Sequence, residues 1–184
     1  MTCIPVREPD LFHPTRWSAP EGGHFLTLCV EGFWPGLATT LLNSQLHAAA
    51  HLMSLDHYWH VRTVSVLPHH AHLLITLPDH VELPEVVDRF KARLEPCLDR
   101  SGLRWARGYF DRRMHPTEDY LPTFLYVFRC PYREKLIAPS EPWPGYYCAE
   151  SDWDWLAPLI RTPCQFPEWL LQWRFYAVAD RDAS

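Results

Sequence analysis

Two histidines, His70 and His72, are the residues of this sequence that most directly suggest chemistry. They follow Pro68 and sit between two apolar runs that predict strands at about 58–66 and 72–77. Because side chains alternate between the two faces of a strand, both imidazoles are expected to point the same way. Two imidazoles on one stiff strand form half of a divalent-metal site. The chain contains 11 histidines, so a His-x-His pair without any metal role is the alternative.

The flanking sequence predicts the elements that must position this pair. Apolar periodicity and turn residues predict a strand at 24–30, helices at 37–53, 84–95 and 119–129, an extended segment at 104–114, and a terminal helix at 167–179. Pro96 is expected to end the second of these helices. A hairpin around the histidines indicates an antiparallel sheet, and the order β-α-β-β-α-β-α predicts an α+β fold with helices packed on that sheet.

The third predicted helix carries a tyrosine beside its apolar stripe. Four residues with i, i+3, i+4, i+7 spacing form the expected buried stripe: Leu121, Phe124, Leu125 and Phe128. Tyr126 lies off the centre of that stripe, and Cys130 lies one turn further along on the same side. A boundary tyrosine with a packed ring and a solvated hydroxyl is the ordinary interpretation of Tyr126, because tyrosines are commonly half-buried.

Composition limits the class of protein. With 184 residues, 47% of them hydrophobic, and nine tryptophans, we expect one domain with a substantial core. The six cysteines are scattered without a C-x-x-C pair, which argues against a zinc ribbon or a redox motif. The N-terminal residues lack a basic region followed by an apolar core, and no apolar stretch is long enough to span a bilayer. These features predict a reduced, cytoplasmic protein that does not enter a membrane.

The charge is unevenly distributed along the chain. Residues 86–113 contain eight basic and four acidic groups, so this window carries +4, although the whole chain carries −5. A basic window on an acidic body is compatible with local contacts to phosphate. A solvated helix face is the equally good alternative from charge alone.

Taken in order, the segments resemble the single-tyrosine HUH transposases, and most closely the REP-associated tyrosine transposases. The motifs that carry the resemblance are GGHFLTLCV (22–30), PHHAH followed by LLITLP (68–78), RFKARL (89–94), the segment from Trp105 through Tyr109 to Asp111, DYLPTFLYVFRCP (119–131) and EPWPGYY (141–147). Each motif alone is weak, and the ordered set over about 22–147 is the specific signal.

The resemblance implies a ferredoxin-like antiparallel sheet, the HUH endonuclease fold, that presents His70 and His72. It implies a single-stranded DNA transposase that cleaves and rejoins DNA near hairpins. Tyr126 would be the nucleophile and would form a 5′-phosphotyrosine, and the histidines would bind Mg²⁺ or Mn²⁺. Elementary chemistry agrees, because a phenol is a weak nucleophile at neutral pH and needs an activated phosphate held in line.

Cys130 is the one departure from the family pattern. The family has an amide or a carboxylate at this position, one turn after the tyrosine, to complete the metal site. A thiolate prefers softer metals than magnesium or manganese. Four outcomes stay open: Cys130 binds a softer metal, water fills the position, Glu134 substitutes, or catalysis is weakened or lost.

The resemblance also directs the basic window to DNA. Six residues are expected to contact phosphates: Arg89, Lys91, Arg93, Arg104, Arg107 and Arg112. Exposed aromatic rings are expected to stack on single-stranded bases. The expected partner is single-stranded or hairpin DNA, and both a monomer and a homodimer are compatible with the sequence.

The expected organisation is an irregular arm at 1–21, a catalytic domain at 22–138, and a Pro/Trp-rich extension at 139–184. A strand-transferring enzyme is the first functional hypothesis. A relative that holds a DNA hairpin without cutting it is the second, and the net charge and Cys130 favour it. A metallohydrolase unrelated to DNA is the third.

Overall fold

The computed structural model describes residues 23–32, 36–115, 120–138 and 140–154. Eight elements follow in chain order: β1 Gly23–Cys29, α1 Thr40–Leu55, β2 His60–Val66, β3 His70–Thr76, α2 Leu83–Arg100, β4 Phe110–Met114, α3 Leu121–Arg133 and β5 Tyr146–Cys148. The predicted arm at 1–21 and the predicted terminal helix at 167–179 lie outside the described residues. Within the described ranges, no helix combines the length and the apolar character that crossing a membrane requires.

β3 is the central strand of a five-stranded sheet with the order β4-β1-β3-β2-β5. Every neighbouring pair is antiparallel, which confirms the predicted α+β fold. Leu73, Leu74 and Ile75 of β3 are completely buried, as expected for a strand with neighbours on both edges and helices on both faces.

The sheet separates two cores. On one face, α1 and α2 pack against alternate strand residues such as Leu26 and Leu73. On the other face, α3 packs against Phe25 and Leu74, the residues adjacent to those two in sequence. We call these the α1–α2 face and the α3 face. Because strand side chains alternate, a residue's position along its strand decides which face it joins.

The sequence predicts that α2 ends at Pro96, whereas in the structure α2 continues to Arg100. A proline inside a helix costs about 3 kcal/mol. Leu94 and Leu98, on either side of Pro96, are both buried in the same core. Burial of one leucine contributes roughly 1.5–3 kcal/mol, so the packing of the two leucines offsets the cost of the proline and the helix continues past it.

The buried stripe of α3 is only partly the predicted one. Phe124 and Phe128 are buried as expected, whereas Leu121 and Leu125 are half-buried. The other buried residues of this helix are Thr123, Val127, Cys130 and Pro131. The helix therefore turns a slightly different side to the sheet, and it extends past the predicted end at 129 to Arg133.

Arg62 of β2 holds the first turn of α3 in place. Its guanidinium carbon lies 4.4 Å from the ring centroid of Tyr120, and its Nε donates to Asp152 at 3.1 Å. A cation over an aromatic face is stabilising by about 0.5–2 kcal/mol. Tyr120 also packs on Gly23, where a Cβ would lie 2.5 Å from the tyrosine hydroxyl, so a larger residue there would displace the end of the Tyr120 ring.

β5 was not predicted and lies within the predicted extension. It pairs with β2, and the Trp143 indole just before it donates to the Val66 carbonyl at 2.9 Å. Three residues are too few to produce a recognisable alternation in the sequence. This part of the extension is thus integrated into the sheet.

We expect Leu98→Ala to lower the free energy of unfolding by about 2–5 kcal/mol, because it leaves a cavity in a buried part of α2. Urea denaturation measures this loss. Glu95→Ala, on the exposed side of the same helix, is the matched control and should cost less than about 0.5 kcal/mol. Equal small costs for both variants would contradict the packing of α2 beyond Pro96.

Candidate functional site

His70 and His72 point to the α3 face and meet there. Their Nε2 atoms are 3.2 Å apart, and their ring centroids are 4.6 Å apart. The prediction that the pair shares one face is therefore confirmed. Both side chains are buried, at the point where α3 covers the central strand.

The neighbouring strand orients His72. Thr27 of β1 lies directly opposite His72 in the register, and its hydroxyl lies 2.9 Å from His72 Nδ1. The Phe25 ring stacks on the same imidazole with centroids 5.2 Å apart. With Nδ1 engaged by Thr27, Nε2 is the nitrogen directed at His70. A second partner of this kind fixes the ring orientation of histidines that bind metals.

Burial keeps both imidazoles neutral. Removal from water lowers the pKa of His70 to about 4, with a smaller contribution from His69. Removal from water lowers the pKa of His72 to about 3, assisted by His70 and by Arg133. A neutral imidazole has a nitrogen lone pair to offer, which is the form that binds a metal.

The spacing of the pair fits one divalent ion. Two nitrogens that bind the same ion at about 2.1 Å, in adjacent positions, lie roughly 3.0–3.4 Å apart. The observed separation of 3.2 Å falls in this range and is also that of a hydrogen bond between the two Nε2 atoms. Among the described residues, however, no three His, Cys, Asp or Glu side chains form a complete ligand group. The two histidines could therefore supply two ligands to a metal, and the described residues do not place a third side-chain ligand beside them.

Among the described residues, Glu134 is an acidic group within ion-pair distance of the pair. Its Oε1 lies 4.0 Å from His70 Nε2, and its side chain is 38% exposed, so it has room to turn. Partial burial raises the pKa of Glu134, against opposing contributions from His69 and Arg133. Cys130, one turn earlier on α3, is buried and does not complete a three-ligand group with the histidines.

Tyr126 reaches the histidine pair within the same chain. Its ring centroid is 5.4 Å from that of His72 and 5.7 Å from that of Phe25. The side chain is 41% exposed, as expected for a residue at the edge of the buried stripe. The structure thus brings together a tyrosine accessible from solvent and two buried neutral imidazoles.

Arg133 belongs to this cluster, and sequence reasoning missed it. Its guanidinium carbon lies 5.2 Å from the Tyr126 ring centroid, and its charge also acts on His72. Arg133 lies outside the basic window at 86–113, which is why charge counting did not reveal it. Its spacing of seven residues from Tyr126, two helical turns, was the available signal.

The residues predicted to contact phosphate do not all lie on the face of the sheet that carries the histidines. Arg89 and Arg93 lie on α2, across the sheet from the histidines, where they pair with Glu85 and Asp56. From there they cannot contact a phosphate held beside His72. Arg112 of β4 lies opposite Phe25 in the register and therefore shares the α3 face. Arg104 and Arg107 are exposed in the loop before β4.

Lys91 is a correction to the predicted DNA contacts. It is buried, and its ammonium group donates to the carbonyls of Ala106 at 2.8 Å and Gly108 at 3.0 Å. Removal from water lowers its pKa. The Lys91 side chain fastens the loop before β4 to α2 and is not available to phosphate.

Comparison with known proteins shows which fold this chain has. No family model matches this chain, and no curated protein matches it significantly. Among solved structures, a REP-associated tyrosine transposase bound to a REP hairpin is similar, with a TM-score of 0.59, 20% identity, and coverage of 68% of this chain and 76% of that one. This chain has the fold of that transposase. The fold implied by the sequence resemblance is thereby confirmed.

A second solved structure is similar at a lower level. It is a protein from Deinococcus radiodurans R1, provisionally described as a transposase. The TM-score is 0.45 at 14% identity, with coverage of 69% of this chain and 99% of that one. This distance is too great for the second structure to carry an argument.

We expect Lys91→Met to lower the free energy of unfolding by about 1–3 kcal/mol, because it leaves buried carbonyls without their donor. Chemical denaturation measures the loss. Arg93→Met removes a charge of the same sign from the exposed side of α2, where a surface ion pair contributes about 0–1 kcal/mol. If Lys91→Met were as mild as Arg93→Met but weakened DNA binding strongly, the assigned structural role of Lys91 would be wrong.

Proposed function

We propose that the protein cleaves and rejoins single-stranded DNA next to a hairpin, with Tyr126 as the nucleophile. The contact of the Tyr126 ring with His72 is the observation that carries the proposal, because it brings a solvent-accessible tyrosine next to two buried imidazoles in one chain. The similar transposase was solved with a REP hairpin, which supports hairpin DNA as the substrate class.

The proposed reaction exchanges one phosphoester for another. The Tyr126 oxygen forms a bond to phosphorus as the bond from phosphorus to the 3′-oxygen breaks. The phenolic proton is lost to solvent, the released 3′-oxygen takes up a proton, and the 5′-phosphate stays on the tyrosine. Because the number of phosphoester bonds is unchanged, a 3′-hydroxyl can reverse the step and rejoin a strand without an external energy source.

His70 and His72 would hold Mg²⁺ or Mn²⁺, and Glu134 is the oxygen ligand we propose in place of Cys130. A divalent cation there would withdraw charge from the phosphate and make phosphorus more electrophilic. The chain itself supplies the orientation: Thr27 and Phe25 fix the His72 ring, and α3 fixes Tyr126 over it. Holding the nucleophile in line with its target removes part of the entropic cost of the reaction.

Exposed basic groups near the α3 face would hold the DNA. Arg112 shares that face. Arg104 and Arg107 are exposed on the loop before β4, which Lys91 fastens to α2, so we propose them for DNA that extends past this edge strand. Contacts of this kind bind phosphates without reading sequence and weaken as salt rises. A hairpin-binding protein that does not cut is the second candidate, favoured by the lack of a complete three-ligand group among the described residues.

A covalent-adduct assay tests the proposal. We expect the wild-type protein, with Mn²⁺ and a hairpin carrying a single-stranded flank, to form an adduct that survives denaturing electrophoresis. Tyr126→Phe should abolish the adduct and change hairpin affinity by less than about twofold, since only one hydroxyl is lost. Tyr132→Phe, on the same helix, is the control and should keep the adduct.

Two outcomes of this assay would contradict the proposal. An adduct that survives in Tyr126→Phe would refute the nucleophile. Tight hairpin binding by the wild-type protein without any adduct would instead favour the hairpin-binding alternative.

Metal titration tests the proposed ligands without relying on activity. We expect His70→Ala and His72→Ala to lower Mn²⁺ affinity at least about tenfold, and Glu134→Gln to lower it by roughly 10-fold. Cys130→Ser should leave the affinity unchanged. Calorimetry or Mn²⁺ electron paramagnetic resonance measures the binding. A loss on Cys130→Ser combined with no loss on Glu134→Gln would make Cys130 the ligand instead.

A further inference from the structure

Arg133 places a positive charge at the rim of the site, beside Tyr126. The two imidazoles are buried under α3, and Glu134 Oε1 lies 4.0 Å from His70 Nε2. The site also lies at the C-terminal end of α3, where the helix dipole has its negative end. A phosphate diester that approaches Tyr126 therefore meets an acidic side chain and the negative end of a helix dipole, which a cation beside the tyrosine offsets together with the proposed divalent ion. Arg133, the last residue of α3, is a cation in contact with the Tyr126 ring.

The geometry of Arg133 leaves its donors available. Its guanidinium carbon lies over the Tyr126 ring at 5.2 Å from the centroid, and the side chain is exposed. Stacking on an aromatic ring uses the flat face of a guanidinium, whereas its N–H groups project from the edge. The same arginine can thus rest on the tyrosine ring and bind two phosphate oxygens from its edge.

We propose that Arg133 binds a non-bridging oxygen of the phosphate that Tyr126 attacks. This inference rests on the proposed function and adds a catalytic residue to it. The guanidinium compensates the negative charge that grows on the phosphoryl oxygens as the Tyr126–phosphorus bond forms and the bond to the 3′-oxygen breaks. A donor aimed at such developing charge typically accounts for about 10²–10³ in rate.

The test uses two substrates and three variants of the full chain. Single-turnover adduct formation is measured with the ordinary phosphodiester and with a methylphosphonate at the scissile position, which lacks the anionic oxygen. The variants are Arg133→Ala, Arg133→Lys, and Arg93→Ala as a control on the opposite face. Melting temperature and Mn²⁺ binding are measured in each, so that misfolding or metal loss is recognised.

We expect Arg133→Ala to slow adduct formation on the phosphodiester by about 100-fold or more. Hairpin affinity should fall by less than about fivefold, because one contact among many is lost. Arg133→Lys should recover part of the rate, and Arg93→Ala should match the wild type. On the methylphosphonate, Arg133→Ala and the wild type should form the adduct at nearly the same rate, because the anionic oxygen that the arginine would bind is absent.

Two results would overturn the inference alone. Equal rates for wild type and Arg133→Ala on the phosphodiester would show that the arginine does not assist the reaction. A defect of the same size on both substrates would show that Arg133 only positions the Tyr126 ring. If the wild-type chain forms no adduct on either substrate, the proposed function fails, and this inference fails with it.

Discussion

The central position of β3 is the constraint on which the site depends. β3 is hydrogen-bonded to β1 and β2 along its two edges, and helices cover its two faces. These contacts hold β3 in one register. A one-residue shift in register would move His70 and His72 to the opposite face. Because the register is fixed, both imidazoles are held under α3, where Tyr126 meets them. The geometry of the pair is therefore a property of the whole sheet.

The same burial that fixes the histidines also sets their charge. Both are kept neutral at neutral pH, so the pair offers lone pairs and does not itself attract an anion. The half-exposed Tyr126 and the exposed Arg133 are at the rim, where a strand of DNA can reach them. In the proposed site, the buried imidazoles would hold the metal and the exposed groups would hold the substrate.

The sequence was sufficient where a local rule governs the structure. Period-two alternation predicted the shared face of His70 and His72, and helical spacing predicted an edge position for Tyr126. Other features are decided by contacts between segments far apart in the chain. The burial of Leu98 offsets the cost of Pro96 inside α2. Lys91 donates to three backbone carbonyls of the loop before β4, which are distant from it in the sequence. β5 is stabilised by pairing with β2. Counting charges along the sequence likewise could not distinguish the basic residues of α2 from those of β4, because it gives no information about the face of the sheet on which a residue lies.

The most direct test of this account identifies the atom that becomes attached to DNA. The protein is trapped on a hairpin substrate whose cleaved strand cannot be rejoined, digested with protease, and analysed by mass spectrometry. The account predicts one nucleotide-bearing peptide, with a 5′-phosphate joined to the Tyr126 oxygen and a free 3′-hydroxyl on the released strand. A nucleotide on another residue, or a 3′-phosphate linkage, would contradict it.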